Sequence, residues 1–312
     1  MKRFYFFIIL TTLGLSSIAQ NSNSVVPEIS INIANENDLL ITWDYPEDYA
    51  SNGSIPLSWS LGEMFDQIGA PCGECNFTVA HYYDANDLIH LNGWKINNVS
   101  IIPWRESDTC EIRIWKGNLD QAELIYQKTI DNAVCQEWNV IDIDDEIVIE
   151  EPFEYIIGYN VKGHGGYFLP IDDKPAVNWK GNIIDSGVGY GWQSLLEIAG
   201  TYGNFMISAT LLNPNAKESD ACLSENLTGY RIYRDGNLVN EIIYPFVSYY
   251  VDEKASKAEV EYCVTALYGE EESNSTCATI EITVIEDENI SNYDIIPNPT
   301  KGLIRILGED VK

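Results

Sequence analysis

Basic side chains are scarce: 18 Lys and Arg stand against 48 Asp and Glu in 312 residues, a formal net charge of −30. A phosphate backbone needs a basic face, so this deficit argues against a nucleic-acid partner. Histidine is rarer still, with His81, His90 and His164 the only three. Neither a Gly-x-Ser-x-Gly elbow nor a caspase-type Gln-Ala-Cys pattern gives any of them a nucleophile to activate. Carboxylates are so abundant that no glycosidase pair singles itself out without geometry. The expectation is therefore a chain that is not an enzyme. Past its first segment the sequence also lacks any apolar run long enough to cross a membrane, so no membrane span is expected.

What is present is apolar and aromatic. Hydrophobic residues make up 45% and aromatics 12%, enough buried surface to offset the chain entropy lost on folding. Lys2 and Arg3 precede an apolar run from Phe4 to Leu15, and Ser17-Ile18-Ala19 supplies small residues before Gln20. This pattern reads as an export signal over residues 1–19. Its removal takes two positive charges, giving −30 − 2 = −32 for the mature chain. The expected location is secreted, extracellular or on the outer cell surface.

Seven cysteines in an exported chain point to cross-links. Alternation in Val260–Leu267 and in Cys277–Val284 turns Cys263 and Cys277 away from the apolar face, and the polar stretch 269–275 between them reads as a hairpin turn. A hairpin brings the two thiols together, which predicts a Cys263–Cys277 bridge. Cys72 and Cys75 form a Cys-x-x-Cys that suits a short-loop disulfide, half of a zinc site or a redox pair. Cys110 with Cys135 is a further candidate bridge, leaving Cys222 as the odd thiol.

Alternating apolar runs bounded by Gly, Asn and Asp recur along the chain, including Ile29/Ile31/Ile33, Leu39/Ile41/Trp43, Phe77–Tyr83, Cys110–Trp115, Tyr155–Val161 and Tyr230–Tyr233. Many short strands separated by turn residues predict an all-β sandwich architecture. Leu40–Pro46 resembles the second strand of a fibronectin type III domain. Leu227-Thr228-Gly229-Tyr230-Arg231-Ile232-Tyr233-Arg234-Asp235-Gly236 resembles its third strand and turn, and Glu261-Tyr262-Cys263-Val264-Thr265-Ala266 its sixth. The resemblance implies a discontinuous domain, 25–47 plus 219–286, interrupted by an insert at 48–217. Such an insertion is tolerable where the insert's ends lie close together; two independent domains in a row are the alternative.

Within the insert, Phe77–Tyr83, Leu91–Ile96, Ile112–Gly117 and Glu154–Tyr159 resemble the jelly-roll modules of exported Bacteroidetes surface proteins that accompany gingipain and haemagglutinin adhesins. The fold implied is a jelly-roll β-sandwich inserted in a fibronectin type III-like β-sandwich. Residues 287–312 read as a linker and the start of a further domain. There Tyr293-Asp294-Ile295-Ile296-Pro297-Asn298-Pro299-Thr300-Lys301-Gly302 resembles the opening of the C-terminal sorting domain of type IX secretion. Pro297, Asn298, Pro299 and Gly302 carry that likeness, which implies the type IX machinery as a partner. The sequence stops at Lys312, where the remaining strands of a sorting sandwich should follow, so the resemblance implies a truncated one.

Two site candidates remain. Asp142, Asp144, Asp145 and Glu146, together with Asp172 and Asp173, read as acidic clusters on turns; no cofactor is expected beyond a structural calcium held there. The alternative is a solvated acidic edge. Trp179, Tyr190, Trp192 and Tyr202 lie near or among the glycines of 187–203, where exposed aromatics stack on sugar faces and Asn182, Asp185 and Gln193 offer hydroxyl contacts. The function expected is adhesion or binding to a host protein or glycan. The alternatives are a carbohydrate-binding module serving a separate hydrolase, or a fragment of a larger secreted peptidase or hydrolase.

Overall fold

A computed structural model describes residues 25–284, except 36–37, 47–48, 50–52, 61–63, 71, 107, 164–165, 202, 216–226, 254–258 and 282. It also describes the backbone of the short strands Tyr5–Phe6, Ile9–Leu10, Asp294–Ile296 and Arg305–Leu307. Beyond those backbone stretches, the export segment and the sorting motif (Pro297, Asn298, Pro299, Gly302) lie outside the described residues, as do Cys222, Tyr202 and His164.

Strands β1 (Ile29–Asn35) and β2 (Asp38–Trp43) form a hairpin in which Ile29 pairs Trp43 and Ile31 pairs Ile41. The chain then leaves through β3 (Ser54–Leu57), β4 (Met64–Ala70) and β5 (Cys75–Tyr83). A single helical turn α1 (Ala85–Leu88) runs into a 3-10 turn, Ile89–Leu91. The strands β6 (Lys95–Ile101), β7 (Thr109–Lys116), β8 (Glu123–Thr129), β9 (Asn139–Val148), β10 (Tyr155–Gly163) and β11 (Gly166–Asp172) follow. The insert closes with β12 (Ile183–Asp185), β13 (Gln193–Ser194), α2 (Leu195–Ala199) and β14 (Ile207–Leu212). Strands β15 (Leu227–Arg234), β16 (Asn237–Ile242), β17 (Tyr249–Asp252), β18 (Glu259–Tyr268), β19 (Glu271–Glu272) and β20 (Thr276–Glu281) return to the first hairpin.

Two sandwiches result. In the insert one sheet has the order β8-β7-β10-β5-β12-β13 and another β9-β6-β14-β3, with β4 and β11 paired separately. Ile96, Val99 and Ile101 from the second sheet share a core with Ile112, Ile114 and Tyr159 from the first. Strand β10 shows no burial alternation: every residue from Tyr155 to Val161 is buried. It is central, paired with both β5 and β7, and a satellite cluster of Ala80, Ile156 and Ile183 covers its other face. Gly158 sits where any β-carbon would collide with the Val79 carbonyl.

In the other sandwich the early hairpin joins β17 in a sheet of order β17-β2-β1. The opposing sheet runs β16-β15-β18-β20, with β19 beside β18 and the backbone of Ile9–Leu10 along β20. Across the gap the Trp43 ring lies 5.1 Å from that of Tyr230, and Tyr230 and Tyr262 have no exposed surface. Each large apolar side chain buried this way contributes roughly 1.5–3 kcal/mol. Three strands facing four is the fibronectin type III arrangement, assembled here from the two ends of the chain. The fold is all-β, a jelly-roll sandwich inserted in a discontinuous fibronectin type III-like sandwich, and every described strand pair is antiparallel.

Trp59, just after β3, joins the two. Its ring stacks on Tyr83 of the insert at 5.5 Å and meets Tyr249 of the outer sandwich edge-on at 5.4 Å. The Tyr249 hydroxyl donates to the Trp59 carbonyl at 2.6 Å, and the Trp59 indole N–H donates to the Tyr82 carbonyl at 2.9 Å. Lys180 caps the assembly, its Nζ 5.2 Å above the Trp59 ring and bonded to Asp84 and Asp87 at 3.0 and 2.5 Å.

Candidate functional site

The aromatic loop at the sheet edge is built on β12 and β13, which pair with each other while β12 pairs with β5. Gly187, Gly189 and Gly191 all take positive φ, so the chain between the strands folds back on itself in conformations that L side chains avoid. The Gly187 N–H donates to Asp185 Oδ1 at 2.8 Å, fixing the first turn. At the tip Tyr190 is 76% and Val188 69% exposed. Behind it Trp192 lies perpendicular to Trp115 at 5.3 Å, and both pack with Trp179 on the satellite cluster. Trp179 is one of four non-glycine residues with positive φ among the described residues, held by its N–H to Asn182 Oδ1 at 3.0 Å. Its indole N–H donates to Glu197 at 2.6 Å.

The predicted platform therefore divides. Tyr190 faces solvent, whereas Trp179 and Trp192 are half-buried supports and Tyr202 is outside the described residues. Asn182 is fully buried, holding the Trp179 backbone and reaching Ser194 Oγ at 3.4 Å, so it offers no contact to a ligand.

The acidic residues differ from the turn clusters expected. Asp142, Asp144 and Asp145 lie within β9, in the stretch where its pairing with β6 shifts register between Asp142 and Ile147. Asp144 pairs with Lys128 at 2.7 Å, Lys128 also donates to the Asp142 carbonyl, and Glu146 pairs with Lys95. Asp172 is buried; its Oδ1 accepts the Asn204 N–H at 2.7 Å and the Asn204 amide reaches both oxygens. Asp173 pairs with Lys174 at 3.2 Å. Among the described residues, two groups bring three potential ligand atoms within 4.8 Å of one another: Glu261/Cys263/Cys277 and Glu28/Asp44/His90. Neither includes the five aspartates.

Cys263 and Cys277 are directly opposed in the β18–β20 ladder and form a disulfide, as do Cys72 and Cys75. Cys110 and Cys135 are not bonded, a correction to the pairing suggested by sequence. Cys110 points into the core from β7, whereas Cys135 sits half-buried on a surface turn. Burial, reinforced by Asp108 and Cys135, pushes the Cys110 thiol up to about 12.

A cleft of about 350 Å³ opens where the two sandwiches meet, lined by residues including Trp43, Asp44, Tyr45, Trp59, Tyr83 and His90. Glu28 and Asp44 flank the first hairpin, tied by the Asp44 N–H to the Glu28 carbonyl at 3.2 Å. His90 is delivered by the 3-10 turn after α1, whose start Asp84 and Asp87 close in a reciprocal capping box. His90 Nε2 stands 2.9 Å from Asp44 Oδ2 and 3.9 Å from Glu28 Oε2. Burial raises the Asp44 carboxyl to about 6, with His90 opposing and Glu28 adding to the shift.

No family model matches the chain, and no curated protein matches it. Among solved structures it is similar to the infectious bursal disease virus Gx strain, at 10% identity and a TM-score of 0.26, over 90% of this chain and 66% of that one. It is also similar to the tripod (BppUct-A-L) from the baseplate of bacteriophage Tuc2009, at 13% identity and a TM-score of 0.20, over 80% and 99%. A third likeness is to the central fibronectin-III array of RIM-binding protein, at 10% identity and a TM-score of 0.18, over 85% and 99%. At these scores none of the three carries an argument about function.

Its flanking glycines make Tyr190 legible in the sequence, whereas the Glu28/Asp44/His90 group is not. Its members come from separate segments, and no spacing rule links residues joined only by the docking of two sandwiches. Among the described residues, no helix is long and apolar enough to cross a membrane.

Proposed function

We propose that the chain is a non-catalytic, secreted or surface-exposed binding protein that engages a glycan or host protein through the 187–191 loop. The exposure of Tyr190, 76% at the tip of a loop braced from behind by Trp192 against Trp115, is the observation that carries this reading. A flat aromatic ring held out from a rigid base provides apolar contact area at low entropic cost, the property a sugar face or a protein patch exploits. Two disulfides support an oxidising, extracellular setting. The export segment and the Pro-Asn-Pro-Thr-Lys-Gly stretch support delivery by the type IX system of a Bacteroidetes cell.

A glycan array and a pull-down on extracellular-matrix proteins test the proposal. Wild type is expected to give a signal that Tyr190→Ser lowers about tenfold, a loss within the 1–3 kcal/mol range of one stacked aromatic. Silence of the wild-type chain on both supports would overturn it. The exposed ring also favours a second reading, a carbohydrate-binding module serving a separate hydrolase; retention on insoluble polysaccharide with no matrix-protein signal would select it.

A further inference from the structure

We propose that Glu28, Asp44 and His90 form a site for a zinc-class divalent cation that ties the two sandwiches together. The ligand set comes from both bodies: the two carboxylates flank the first hairpin of the outer sandwich, and the imidazole belongs to the insert. One potential ligand atom from each lies within 4.8 Å of the others, and the two separations from His90, 2.9 and 3.9 Å, bracket the roughly 3.3 Å edge of a tetrahedral site with bonds near 2.0–2.1 Å. Glu28 and His90 are exposed, so both side chains are free to make the small rotations that even out these distances.

An unsatisfied carboxylate oxygen points to a missing ligand. Asp44 Oδ2 is shielded from solvent yet accepts no hydrogen bond, although His90 Nε2 is in ion-pair range. A shielded polar atom left unpaired costs stability, and a cation bound there would answer the carboxylate oxygen.

The charge and chemistry agree. A neutral imidazole with two carboxylates gives the site a charge of −2, matching a divalent ion, and the acidic excess of the chain attracts cations generally. An imidazole nitrogen among the ligands selects zinc-like ions over calcium or magnesium, which prefer oxygen alone. The other three-atom group has both its thiols locked in a disulfide and cannot compete.

The test is calorimetric titration of the tag-free, disulfide-intact chain with Zn²⁺ near neutral pH, with the melting temperature measured at each metal level. Wild type is expected to take up one ion and to melt at higher temperature when loaded. His90→Gln, at an exposed position that leaves the fold intact, should weaken binding about tenfold or more and abolish the thermal shift; Asp44→Asn should do the same. Equimolar Ca²⁺ should not displace the zinc. Absence of saturable uptake up to about 1 mM Zn²⁺, or unchanged affinity in H90Q, would overturn the proposal. So would a thiolate charge-transfer band in the Co²⁺-loaded chain, which would place the metal on the free cysteines.

Discussion

His81 carries the clearest single-residue consequence. It has no exposed surface; its Nδ1 accepts the Trp59 N–H at 3.2 Å with the Tyr83 hydroxyl 3.3 Å away, and its Nε2 donates to the Phe205 carbonyl at 2.8 Å. Only the neutral ring with its proton on Nε2 satisfies both backbone contacts. Burial drives its pKa down from 6.5 to about 3, with the bond to Phe205 opposing. Between those values the unfolded chain binds a proton that the folded chain refuses, so this group's contribution to stability falls as pH falls, by about 1.4 kcal/mol per pH unit. The destabilisation caused by His81→Gln is therefore expected to be largest at neutral pH and to shrink at that rate from about pH 6 to pH 4. Urea denaturation of both proteins across this range checks it; a difference independent of pH would mean that His81 is not held neutral. The aromatic run Phe77–Tyr83 around His81 is what a packed side chain has for neighbours, and the structure buries it. Trp179 and Tyr190 were not distinguishable in the sequence, because what separates them is a satellite cluster assembled from β5, β10 and β12.

At the scale of elements, the β18–β20 hairpin could be read from its alternation, down to the facing of Cys263 and Cys277. The strand β9 could not. Four acidic residues among the five from Asp142 to Glu146 look like a turn, yet Ile141 and Ile147 on either side are buried and anchor the segment to β6 through a bulge, with Lys128 and Lys95 offsetting the charge from other strands. Partners supplied by other strands leave no trace in a local window. The helical turn α1 escaped because four residues are too few to show a period. For the hairpin, the disulfide closes a loop whose ends are 14 residues apart, so removing it restores freedom mainly to the unfolded chain. The double variant C263S/C277S should keep the native tryptophan fluorescence and lose about 3 kcal/mol of stability in denaturant titration. A loss close to zero would show that the ladder already restricts these residues in the denatured ensemble.

The whole molecule depends on the contact between its two sandwiches. The split itself was visible, because strands resembling the second and third of one domain family stand at opposite ends of the chain. The docking was not: Trp59 reads as one more aromatic near a turn, and only the three-dimensional path sets it against Tyr83, Tyr249 and Lys180 at once. Trp59→Ala should cost about 3–5 kcal/mol and uncouple the bodies. Scanning calorimetry should then change from a single transition to two. One sharp transition in the variant would place the coupling elsewhere.

The Asn213 N–H donates to the Gly53 carbonyl at 2.8 Å, pinning the last residues of the inner body to its first. A guest that enters and exits through one doorway asks almost nothing of its host. Such a frame can accept a different passenger of any length whose termini meet, and this makes the outer sandwich a reusable mount for changing what the molecule presents to its surroundings.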